Sequence, residues 1–108
     1  MSEPMSDPRE RIQMLAGQLQ NAMQQVQTVD TQIREIDATI NALDVQSIDR
    51  PIYRQIGPLL LEVEDREILK EELKSSLERL NEHLQHVQES ESEIRKLYED
   101  AIESLENQ

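Results

Sequence analysis

The chain has 108 residues, 36% hydrophobic and 31% charged, with no Phe, Trp or Cys, two Tyr, two Gly and four Pro. Twenty-three acidic residues against 11 basic ones leave a formal net charge of −12. So little aromatic volume argues against a thick core, absent cysteine excludes disulfides and thiolate metal sites, and the negative balance disfavours nucleic acid and anionic membranes as partners.

The first residues, MSEPMSDPRER, hold no apolar stretch. No secretory leader is expected from them. No run in the chain approaches the roughly 18 apolar residues of a membrane span, so the expected location is the cytoplasm. Residues 1–7 are expected to form a flexible tail. Asp7 is placed to cap a helix, Pro8 fits its first position, where a missing N–H costs nothing, and Glu10 completes a capping box.

From Ile12 onward, steps of three and four meet only apolar residues: Ile12, Leu15, Leu19, Ala22, Val26, Val29, Ile33, Ile36, Ile40 and Leu43. The intervening residues are largely Gln, Asp, Glu, Arg, Asn and Thr. This is a heptad seam, and it predicts a first helix over 8–46, on the order of 50 Å long at 1.5 Å per residue.

The segment 47–64 differs from everything around it. PIYRQIGPLLLEV, from Pro51 to Val63, reads as a β-hairpin with a two-residue turn at Gly57-Pro58. Gly at the first turn position suits a type II′ turn, and Pro at the second removes an N–H that the turn does not use. The pairing then sets Ile56 against Leu59, Arg54 against Leu61 and Ile52 against Val63. One face carries Ile52, Ile56, Leu59, Leu61 and Val63, with Arg54 its only polar member; the other carries Tyr53, Gln55, Leu60 and Glu62. A lone two-stranded hairpin is marginal in water, and this one has unpaired edges and an apolar face. It therefore reads as an assembly module, with Ile52, Tyr53, Ile56, Leu59, Leu60, Leu61 and Val63 as the oligomer interface. The competing reading is an irregular loop tucked onto the helices.

Asp65 can cap a second helix, expected over 65–106 and roughly 60 Å long. Its seam runs Leu73, Leu77, Leu80, Leu84, Val87, Glu91, Ile94, Tyr98, Ala101 and Leu105. The single break is Glu91, inside QESESE at 88–93. Neither heptad helix can bury its seam alone, so the expected fold is an antiparallel coiled coil with both termini at one end and the hairpin at the other. Counting outward from the link sets Leu43 near Leu73, Val26 near Glu91 and Ile12 near Leu105. The Glu91 layer, beside Gln24, Gln25 and Gln27, is expected to be soft, with the arm beyond it fraying more readily.

A heptad helix, a hairpin of the form Ile-Tyr-Arg-Gln-Ile-Gly-Pro-Leu-Leu-Leu-Glu-Val and a second heptad helix together resemble the β-type, archaeal-like subunit of prefoldin. The resemblance spans essentially the whole chain and is most specific over 52–63. Gln88-Glu89 and Val29-Asp30-Thr31-Gln32 match more weakly. The α-type subunits carry a longer link with two hairpins, and this chain has room for one. The resemblance implies a single domain over 1–108, mainly α, in which the central hairpin joins an oligomeric β-barrel. It implies a hexamer of two α-type and four β-type subunits whose six arms hang from that platform. It further implies capture of unfolded polypeptides without ATP, by apolar residues near the arm tips, and delivery to a group II chaperonin. At the tips of this chain lie Ile12, Met14, Leu15, Met23, Leu97, Tyr98, Ile102 and Leu105. Met14, Met23, Leu97 and Ile102 sit off the strict seam, and flexible, polarizable Met suits varied apolar sequences. The same residues could instead widen the seam.

Catalytic chemistry leaves no trace. His83 and His86, three apart beside Glu82, lack a third converging ligand and read as solvated side chains. The chain has no Gly-rich phosphate loop and no nucleophile elbow. No cofactor and no enzyme activity are expected. The alternative function is a scaffolding coiled coil that joins specific native partners through acidic arms.

Overall fold

The computed structural model describes residues 7–107. Met1 to Ser6, most of the expected tail, lie outside the described residues. The element order is α1 (Pro8–Val45), β1 (Tyr53–Ile56), β2 (Leu59–Glu62) and α2 (Arg66–Glu106).

Both helices start as the sequence predicts. The Asp7 carboxylate accepts the Arg9 N–H at 2.9 Å, and the Asp7 carbonyl accepts the Arg11 N–H at 3.1 Å. Asp65 repeats the device: its Oδ1 accepts from the N–H groups of Glu67 at 3.0 Å and Ile68 at 3.1 Å. Each cap satisfies donors that have no partner inside the helix. The capping box at Glu10 does not close among the described residues. Glu10 is exposed, and a solvated carboxylate has little to gain by ordering its side chain back onto Asp7.

The chain forms two compact units, Thr31–Asn81 around the hairpin and the described residues of Met1–Asp30 with Glu82–Gln108. In the hairpin unit, Ile40 and Leu43 of α1 are buried, and Leu73, Leu77 and Leu80 of α2 are half-buried. In the other unit, Leu15, Leu19, Ala22, Val29 and Val87 are buried. Every seam position on either helix is buried or half-buried, so the 3-4 pattern selects the covered stripe. Glu91 is one of these positions: its side chain is 23% exposed and its Oε1 accepts from Arg95 Nη2 at 2.7 Å.

The hairpin has the expected register. Tyr53 pairs with Glu62, Arg54 with Leu61, Gln55 with Leu60 and Ile56 with Leu59, antiparallel. The Val63 N–H donates to the Ile52 carbonyl at 2.8 Å and extends the ladder by one step. Gly57 has φ +58°, a value that L side chains resist, while the Pro58 ring fixes φ negative; together they make a type II′ turn.

Candidate functional site

Apolar side chains lie open to water in both units. In the hairpin unit they are on the strands. Both strands are exposed along their whole length, with Tyr53, Ile56, Leu59, Leu60 and Leu61 between 47% and 68% exposed. Ile52 and Val63, at the root, are half-buried. Exposure on both faces is the finding that matters, because neither is covered by the chain's own helices. Arg54, the polar interruption, reaches α2, with its Nη1 3.5 Å from Glu72 Oε2. A pair this exposed contributes little energy, but it gives the guanidinium a partner on its own subunit.

In the other unit, the candidate client-binding residues differ in exposure. Met23 and Leu97 are exposed, and Ile12, Met14, Tyr98, Ile102 and Leu105 are half-buried. Leu15 differs from them: at 2% exposure it belongs to the covered seam. Met23 and Val26 also line a shallow groove of about 390 Å³ with Gln27, Asp30, Gln88 and Glu91. That groove places Glu91 beside Val26, as the register expects.

Sequence reasoning missed a polar network at the hairpin root. α1 ends without a basic residue in its last turn, where a cation would complement the helix dipole, and it carries Asp44 there. The cations come from α2. Lys70 Nζ lies 2.8 Å from Asp44 Oδ1 and 3.5 Å from Glu67 Oε1. Arg66 donates from Nη1 to the Gln46 carbonyl at 3.0 Å, and from Nη2 to the carbonyls of Ser47 and Arg50, each at 3.1 Å. The hydrogen bond from Lys70 holds the Asp44 carboxyl below its ordinary value, and the same bond raises Lys70. Arg95 is likewise raised, first by its bond to Glu91. The signal for the network was a last turn with an acid and no base. Val45 and Ile48, beside this root, are also almost fully exposed.

His83 and His86 are both exposed, and among the described residues no three His, Asp or Glu side chains are grouped to hold a metal. Among those residues no helix is long and apolar enough to cross a membrane.

Two long heptad helices flanking an antiparallel hairpin that neither helix covers define a chaperone-like coiled-coil subunit. Residues 9–108 match the family model described as prefoldin subunit, and the chain belongs to that family. Its fold is similar to that of the prefoldin beta subunit from Thermococcus strain KS-1, with a TM-score of 0.80 at 19% identity, over 93% of this chain and 87% of that one. No curated protein matches the chain. Members of the family are chaperones rather than enzymes, and membership implies oligomeric assembly with other prefoldin subunits.

Proposed function

We propose that the chain is a β-type subunit of an ATP-independent holdase, acting as one prefoldin-like domain over 1–108. Four copies join two α-type subunits through their hairpins, the apolar residues near the helix ends take up unfolded polypeptides, and the captured client passes to a group II chaperonin in the cytoplasm. The observation that carries this reading is the hairpin: five apolar side chains on two four-residue strands, Tyr53, Ile56, Leu59, Leu60 and Leu61, are exposed on both faces, and an isolated subunit would shed them from water by pairing with other strands. The helix-end residues support it as a mixed surface, with Met23 and Leu97 open and Met14 and Ile102 half-covered.

The test is native mass by light scattering, for the chain alone and mixed with an α-type subunit, followed by aggregation of an unrelated denatured protein with and without the complex. A discrete hexamer that suppresses aggregation is expected. A stable dimer that ignores the partner and protects no client would instead indicate a scaffold for native partners.

A further inference from the structure

The root of the hairpin is where the chain enters and leaves the strands. The entering segment, 46–52, has no regular structure. Its backbone bonds are few: Gln46 N–H closes the last α1 bond to Ala42 at 3.0 Å, and Arg50 N–H turns back to Ser47 at 3.1 Å. The leaving segment, 63–65, is shorter still, three residues before α2 begins. A cleft of about 560 Å³ opens at the root, with Ile48, Arg50 and Ile52 from the entering segment, Val63 and Asp65 from the leaving one and Arg66 from the start of α2. Its lining mixes apolar with charged side chains, and a linker with so few backbone bonds opens readily unless something else holds it.

Arg66 crosses that gap. One guanidinium takes three carbonyls, those of Gln46, Ser47 and Arg50. They span five consecutive residues of the entering segment. The side chain is half-buried, and the planar fork reaches acceptors from two separate nitrogens, which a lysine point charge cannot reproduce. Beside it, Lys70 ties the last turn of α1 to the first turns of α2 through Asp44. Above it, the Val63–Ile52 bond closes the ladder.

We infer that Arg66 is a positioning residue for assembly: its three bonds to the 46–50 backbone hold the hairpin root ordered in the free subunit, so that the strands meet another subunit already registered. The consequence for assembly rests on the reading given above, in which the hairpin is the oligomer interface. The physical gain is preorganisation. Backbone entropy lost once, on folding, is not lost again on association.

The experiment uses the full chain and three forms of it: wild type, R66A and R66K. Helix content is read by circular dichroism, amide exchange of Arg50 and Val63 by NMR, and half-assembly concentration by titration with an α-type subunit. The expected result for R66A is unchanged helix content, about tenfold faster exchange at both amides and about tenfold higher half-assembly concentration, with R66K between the two. Unchanged exchange in R66A would overturn the clamp. Faster exchange with unchanged assembly would overturn its role in positioning. If R66A fails to fold, R66K, which keeps the charge and the aliphatic stem, is read by the same two criteria. Failure of wild type to assemble would remove the oligomer reading instead, and the clamp would then be judged on exchange alone. An I56S/L61S form separates the two further: it should lose assembly and keep slow exchange at Arg50.

Discussion

Lys70 and Asp44 face each other at 2.8 Å, one from the second turn of α2 and the other from the last turn of α1. The Lys70 side chain is 17% exposed and the Asp44 side chain about half exposed. An acid in a last turn opposes the helix dipole, and α1 has no base of its own there. Lys70 corrects this from the other helix.

The pair makes stability depend on pH at both extremes. Asp44 is lowered from 3.8, first by its hydrogen bond from Lys70, so its contribution is present above that value and is lost as pH falls through the folded one. Lys70 is raised from 10.5, first by Asp44, so its contribution is present below that value and is lost as pH rises through the folded one. D44N should flatten both limbs of a melting-temperature profile. Equal limbs in D44N and wild type would show that the pair is energetically silent, as many exposed bridges are.

G17A should stabilise the protein. Gly17 sits inside α1 and is exposed, and a Cβ built there meets nothing within 4 Å. Gly in a helix interior is less favourable than Ala by about 1 kcal/mol. A melting temperature a few degrees higher is expected, with hairpin exchange unchanged. A lower melting temperature would mean that α1 needs a local irregularity at this position.

Gly57 gives the opposite outcome from equally open surroundings. Nothing lies within 4 Å of a Cβ there either, but φ is +58°. The cost of G57A is therefore backbone strain alone, about 1–2 kcal/mol. Since the hairpin contributes little to the helical seams, the loss should show as faster exchange at Leu59 and Leu61 and weaker assembly, with the thermal melt of the helices nearly unchanged.

Much of this was legible because it is local or periodic. The seam on α1 follows from a 3-4 repeat, the caps from Asp7 and Asp65, and the strand register from Gly57-Pro58. The root was not legible. Arg66 bonds to residues 16 to 20 positions earlier, and nothing in a helix repeat encodes a side chain that reaches backbone carbonyls of an irregular linker. Exposure of individual tip residues was only partly readable. Leu15 counts both as a seam position and as a candidate for client binding, and at 2% exposure it lies in the covered seam.

The helix-end surface can be tested apart from assembly. M14S, L97S and I102S combined should weaken protection of an unfolded client several-fold while the mass of the complex stays the same. These three side chains are half-buried or exposed, so their loss should cost less than the 2–5 kcal/mol of a buried Leu→Ala change. Full protection by the triple variant would place client capture elsewhere on the chain.

Glu91 is the one charged residue in either seam. It lies beside Met23 and Val26, holds Arg95 at 2.7 Å and keeps 23% of its side chain exposed. A carboxylate there interrupts apolar packing, so amides beyond it, such as that of Leu97, should exchange faster than that of Leu80. E91L continues the heptad. It gives up an exposed i,i+4 pair, which contributes little, and covers an apolar side chain worth about 1.5 kcal/mol or more when fully buried. The net gain is about 1 kcal/mol, visible as a higher melting temperature and as slower exchange at Leu97 with Leu80 unchanged. If Leu97 already exchanges as slowly as Leu80 in wild type, the Glu91 layer is not a soft point. The Glu91–Arg95 pair would then have to compensate for the missing apolar contact in full.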